Sequence, residues 1–137
     1  MPFPTMSSLQ LSSTAGLPEI LFSIHASQID PTSYTLAVSQ GKVAPGGEQT
    51  AQYIRLFDSP DFDSKKKVSG PTVASVGDLD GRVLKWMVGL TSLTKDDAAY
   101  EMIVKCGQGT LDTKVDESGN LDHGTEFAHG YIRVAVS

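Results

Sequence analysis

The chain has 137 residues, 39% hydrophobic and 20% charged, with a formal net charge of −5. Those values fit one ordinary folded domain with enough chain for a core, and they exclude a globally basic field that draws in nucleic acid from a distance. A single cysteine, Cys106, rules out an intramolecular disulfide and fits a reducing compartment. Taken in order, the opening MPFPTMSSLQ has neither a basic leader nor a long apolar core, so no signal peptide is expected. Nor does any apolar run approach the roughly 20 residues needed to span a membrane. Pro2 and Pro4 hold residues 1–8 in an extended arm. Leu9 and Leu11 begin a first strand, residues 14–16 mark a turn, and 17–24 (LPEILFSI) form a second strand closed by Asp30-Pro31. In 34–39 (YTLAVS), Tyr34, Leu36 and Val38 share one face, and Thr35, Ala37 and Ser39 the other. A loop over 41–47 leads to 52–57 (QYIRLF), with Ile54 and Leu56 on one face and Tyr53, Arg55 and Phe57 opposite. Residues 58–81 break the pattern with Lys65-Lys66-Lys67, Gly70-Pro71 and Asp80-Gly81, a long loop with room for a frayed hairpin at 72–76. Loops of this length are usually functional or make intermolecular contacts.

The stretch 81–111 organises the rest. Val83, Leu84, Trp86, Val88 and Leu90 interleave with Lys85, Met87 and Gly89, as a strand requires. Thr94-Lys95-Asp96-Asp97 has the form of a capping box, which satisfies donors that a first helical turn leaves orphaned. Ala98, Ala99, Met102, Ile103 and Cys106 then recur at helical spacing, and Gly107 supplies a stop. The expected unit is a strand, a short loop and a capped helix over 94–107. A rival stands beside it. Asp96-x-Ala98-x-Tyr100-x-Met102 is similar to the immunoglobulin tyrosine corner, with Met102 in the place of the cysteine, and that pattern makes 100–106 a strand. Because the cap and the run of good helix formers agree, the helix is the preferred expectation. In 110–137, two segments (110–115 and 127–136) alternate as strands, with a turn at 117–120.

Catalytic signatures are sparse. Asp122-His123 and His129, with Glu126 between, sketch a metal site without a third ligand at recognisable spacing. Asp112, Asp116, Asn120 and Asp122 could bind calcium, but Leu121 replaces the glycine such a loop needs and no Glu closes it. There is no Gly-rich phosphate loop and no G-x-S-x-G elbow. No enzyme activity, cofactor, metal or small-molecule substrate is therefore expected.

The order of strands, long loop, alternating strand and capped helix resembles the coat proteins of single-stranded RNA bacteriophages of the levivirus type. Residues 101–109 (EMIVKCGQG) are similar to that family's E-L-I-V-K-x-x-Q-G run, and 90–94 (LTSLT) stand where its last strand meets its helix. Upstream, 34–40 (YTLAVSQ) and 53–57 (YIRLF) resemble its paired central strands. The likeness covers residues 9–109, and the strands of 110–137 depart from the family pattern. It implies an α+β fold, an antiparallel multi-stranded sheet with a C-terminal helix packed on one face, in an intertwined homodimer. The function implied is that of a structural capsid protein: self-assembly into an icosahedral shell and packaging of single-stranded RNA, with no membrane involved. Such a chain would belong to the virion and be assembled in the bacterial host cytoplasm. Ala98, Tyr100, Met102, Ile103 and Cys106 would form the dimer contact, and 58–81 an assembly loop. The RNA would lie across Thr35, Ser39, Tyr53, Arg55, Lys85 and Met87, where cations neutralise phosphates, a ring stacks on a base and hydroxyls hydrogen-bond. The alternative is an intracellular immunoglobulin-like β-sandwich, a binding module without catalytic activity.

Overall fold

Apolar and polar residues alternate through most of the chain, and β-branched and aromatic side chains occupy many of the apolar positions, so strands dominate. The structure is a computed structural model describing residues 5–26, 29–59, 65–92, 98–109, 113–121 and 124–137. Its strands are β1 (Thr5–Leu11), β2 (Glu19–Ala26), β3 (Asp30–Ser39), β4 (Tyr53–Ser59), β5 (Lys66–Lys67), β6 (Val83–Ser92), β7 (Ala98–Gly107), β8 (Thr113–Leu121) and β9 (Gly124–Val136). They form a five-stranded sheet in the order β1-β9-β6-β3-β4 and a four-stranded sheet in the order β5-β2-β7-β8. Only β1 and β9 run parallel; the other neighbours are antiparallel.

The sheets pack face to face through one side of each. Phe22 of β2 meets Tyr34 of β3 at 4.5 Å and Trp86 of β6 at 6.4 Å between ring centroids. Leu36, Leu84, Val104 and Ile132 surround this trio, fully buried. Removing each such side chain from water contributes about 1.5–3 kcal/mol, set against the entropy of ordering it. Trp86 lies directly over Gly130 of β9, where a Cβ would come 2.5 Å from the indole ring.

The expected helix over 94–107, and with it the α+β fold and the helix-mediated intertwined dimer, is overturned. Residues 98–107 are β7, an inner strand of the four-stranded sheet between β2 and β8. Positions 98, 102 and 106 are four apart, so helical and strand periods both place them on one face. Tyr100 and Val104 decide between them: both are apolar and, with Ala98, Met102 and Cys106, both face the core. Tertiary burial thus prevails over local helix propensity. The capping residues 94–97 lie outside the described residues. Among those described, the sole helical turn is a 3-10 helix at Val76–Leu79, and no helix is long and apolar enough to cross a membrane.

The strand at 98–107 agrees with the immunoglobulin-like rival, but the sheet order does not. There, the strand joining the sheet of the second strand precedes the one joining the sheet of the third. Here β6 pairs with β3 before β7 pairs with β2. Two further expectations change. β8 runs straight through the turn expected at 117–120, since Gly119 leaves room for the Tyr100 ring, 3.2 Å from where a Cβ would stand. The described part of the 58–81 loop folds inward, burying Val68, Val73, Val76 and Leu79. Asp78 anchors it by accepting from the backbone amides of Ala74 and Ser75, both at 2.9 Å. Those two bonds hold its carboxyl below the usual carboxylate value.

Candidate nucleic-acid interface on the five-stranded sheet

Strand register stacks the outward side chains of this sheet into rows. One row runs Arg55, Ala37, Lys85, Tyr131 and Met6 across β4, β3, β6, β9 and β1. The next runs Asp58, Thr35, Met87 and His129. Ala37, the smallest member of its row, leaves a hollow of about 320 Å³ lined by Thr35, Ala37, Tyr53, Arg55, Lys85 and Met87. Both cations flank that floor from neighbouring strands, about 10 Å apart at the backbone. Met6 and Phe127, the large apolar residues most exposed among those described, lie on the same face at 52% and 45%.

A β-bulge shapes the rim. Leu36 pairs with Phe57 but Ala37 pairs with Arg55, so Leu56 is the extra residue of β4. Past it the faces exchange. Phe57 turns inward to meet Tyr34 edge-on at 6.0 Å, and Asp58 turns outward. Its carboxylate then lies 3.0 Å from the Arg55 guanidinium.

Aromatic rings and a cation form the wall. The Lys85 ammonium lies 5.5 Å from the Tyr53 ring centroid and 5.9 Å from that of Tyr131, within cation–π range. The two tyrosine rings are 6.0 Å apart, and His129 stands edge-on to Tyr131, also at 6.0 Å. Burial pushes the Tyr53 phenol up to about 12, with Tyr131 and Glu48 adding to it. Tyr131 is raised as well, by burial and then by Glu48. His129 is held below its ordinary value by burial and secondarily by Lys85. At neutral pH the wall thus sets uncharged rings beside two cations; Tyr53 and His129 are partly exposed, whereas Tyr131 is 4% exposed and backs them.

Behind the wall, Arg133 of β9 clamps the loop between β3 and β4. Its guanidinium donates to the Val43 and Ala44 carbonyls and pairs with the Glu48 carboxylate. That hydrogen bond is the main reason the Glu48 carboxyl sits below its usual value. The Glu48 carbonyl in turn accepts the Tyr53 hydroxyl at 2.6 Å, so the clamp fixes the orientation of the Tyr53 ring.

Of the residues expected to face RNA, Thr35, Tyr53, Arg55, Lys85 and Met87 converge on the hollow. Ser39 does not. It is 1% exposed, and its hydroxyl donates to the Gly41 carbonyl and accepts from the Val83 amide, a clip between β3 and β6. The residues expected at a dimer contact lie in β7: Ala98, Tyr100, Met102 and Cys106 are buried in the chain's own core, and Ile103 is half-exposed on the outer face of the other sheet. Burial pushes the Cys106 thiol up to about 12. Tyr131, Asp58 and the Arg133–Glu48 clamp escaped the sequence reading, which singled out His129 only as part of a sketched metal site. For β9 the signal was present in FAHGYIRVAV, where Phe127, His129, Tyr131 and Arg133 alternate with core residues. Among the described residues no three His, Cys, Asp or Glu side chains converge as metal ligands; Asp112, Asp122 and His123 lie outside them or at undescribed positions. No family model, curated protein or solved structure matches the chain.

Proposed function

We propose that this chain is a non-catalytic binding protein whose five-stranded sheet binds single-stranded RNA on its outer face. One observation carries the reading: Lys85 stands over the rings of both Tyr53 and Tyr131 at the wall of a hollow it shares with Arg55. Single-stranded nucleic acid is held by such alternation, with bases on aromatic faces and phosphates on nearby cations. Thr35 adds to the lining a hydroxyl of the kind that pairs with a ribose 2′-OH. Because the net charge is −5, attraction is confined to this patch and binding should fall steeply with salt. The shell-forming role implied by the coat-protein likeness rested on the helix expected over 94–107; with β7 in its place, only the RNA-facing half of that expectation is proposed.

Fluorescence anisotropy with a labelled oligouridylate tests the reading. Arg55→Ala and Lys85→Ala should each weaken binding and reduce the slope of log K against log salt by about 0.7. Thermal stability should change by less than about 0.5 kcal/mol, as for most surface substitutions. Tyr53→Leu should cost about 1–3 kcal/mol of affinity through lost stacking. Absence of binding at low salt, or an Arg55→Ala/Lys85→Ala variant that binds like wild type, refutes it.

A further inference from the structure

β6 runs through the middle of its sheet, and Gly89 interrupts it. A glycine inside a strand weakens the sheet and often marks a place where another group approaches the backbone closely. The backbone at Gly89 is not left-handed, so space is what the position requires. A Cβ there would stand 2.5 Å from the Thr32 hydroxyl oxygen, and 3.3 and 3.7 Å from two carbons of the Phe127 ring. Register sets Phe127 of β9 directly beside Gly89, and one edge of the ring rests over the glycine. Phe127 nevertheless remains 45% exposed. An apolar ring is thus seated on the backbone of a central strand and left open to solvent. Lys85 and Gly89 lie four residues apart on β6, about 13 Å of strand. The row between them carries Met87 and His129, both half-exposed. The row beyond Phe127 sets Asp30 beside Thr91 and Thr125, whose hydroxyl oxygens are 3.2 Å apart. Asp30 is exposed, and its carboxylate repels phosphate. Phe127 therefore stands at the end of a course that starts at the Lys85 cation and stops at a carboxylate.

We propose that Phe127 is a second base-stacking position: bound RNA runs from the hollow along β6 and β9, over Met87 and His129, and lays a base on the Phe127 ring. This inference rests on the sheet-face reading above. A distance of about 13 Å corresponds to about four stacked nucleotides at 3.4 Å each, so one short oligomer reaches both positions. The row of Phe127 holds Ser33 and Gly89 and, among the described residues, no cation. A base stacked there adds affinity without neutralising a phosphate, whereas Arg55 and Lys85 act by releasing counterions. The two positions therefore differ in how they respond to salt.

An oligouridylate of about eight nucleotides, within the usual range of single-strand site sizes, is titrated into wild type and four variants, each checked by thermal melting. Phe127→Trp gives the direct readout. The chain's one tryptophan, Trp86, is fully buried, so the added indole emission reports on position 127 and should be quenched in step with binding. Phe127→Ala should bind roughly tenfold more weakly, the loss of one base–aromatic stack, with an unchanged slope of log K against log salt. Phe127→Leu, which keeps an apolar side chain but no ring, should weaken binding similarly, and Phe127→Tyr should stay within about twofold of wild type. Binding by Phe127→Trp without quenching, or a Phe127→Ala variant that binds like wild type, overturns the second position while leaving the sheet face intact. So does a salt slope that falls in Phe127→Ala. Self-association that Phe127→Ala abolishes while RNA binding is unchanged assigns the ring to a contact between copies and overturns the proposal as well. Should Phe127→Ala fail to fold, the quenching in Phe127→Trp decides alone. If wild type does not bind the oligomer, the sheet-face reading falls and this one falls with it.

Discussion

Gly130→Ala is the sharpest test of how the sheets pack. The backbone there is not left-handed, so conformational strain does not enter and the effect is steric. A Cβ at this position would lie 2.5 and 2.6 Å from two carbons of the Trp86 ring and 2.8 Å from the Thr5 carbonyl. The ring has nowhere to go: Trp86 is fully buried, with Phe22 against it. The Thr5 carbonyl belongs to β1, held by its parallel pairing with β9. Overpacking a rigid site costs about 1–3 kcal/mol or somewhat more, and the stiffer unfolded chain returns about 0.4–1 kcal/mol. A net loss of about 1–2 kcal/mol is expected, a fall in Tm of roughly 3–8 °C for a domain of this size. Gly16→Ala is the control, since nothing lies within 4 Å of its Cβ position, and it should be neutral or slightly stabilising. In a Trp86→Leu background the Gly130→Ala penalty should shrink to what the Thr5 carbonyl still imposes, a coupling of about 1–3 kcal/mol in the cycle. Circular-dichroism melts measure all five proteins. A Gly130→Ala variant that melts with wild type, or a penalty that ignores Trp86, refutes the packing argument.

Met102→Asp puts a carboxylate at a position 1% exposed inside one chain, which should destabilise by several kcal/mol; melting midpoints should not depend on protein concentration over a hundredfold range, and a dependence would point to a core shared between chains. At high pH, Tyr53 should titrate late, near its raised value of about 12. A folded-state value above the unfolded one, about 10, means that its stability contribution is whole below pH 10 and is lost as pH rises toward 12. Tyr53→Phe should remove that late phase from an ultraviolet titration, and an unchanged late phase would assign it elsewhere.

The strands that build the outward row of the five-stranded sheet were legible because a period of two assigns faces without knowledge of neighbours. Thr35, Tyr53, Arg55, Lys85 and Met87 were found that way. Phe57 and Asp58 were not, because one extra residue at Leu56 exchanges the faces beyond it, and a bulge leaves no mark in the alternation itself. Ser39 kept its face but lost its role, since its two hydrogen bonds depend on where Gly41 and Val83 come to rest. The helix at 94–107 failed for a different reason: side chains four apart share a face in both periods, and the tie was broken by a core contributed from distant strands. Tyr131 and His129 stood in an evident strand, but their place in the row required knowing that β9 pairs with β6.

β6 lies in the middle of one sheet, and β7, next in the chain, in the middle of the other. β2 pairs with β5 over Glu19 and Ile20 alone, so most of its ladder waits for β7. About seventy residues separate the end of β2 from the start of β7, some 4–15 s of synthesis at typical rates. Throughout that interval an apolar strand carrying Ile20 and Phe22 has an open edge where β7 will later pair. The nascent chain is therefore most prone to aggregate in the interval before residue 98 emerges. Chaperones that bind extended apolar segments, acting in that window, should raise the yield of folded protein more than any change to the finished surface.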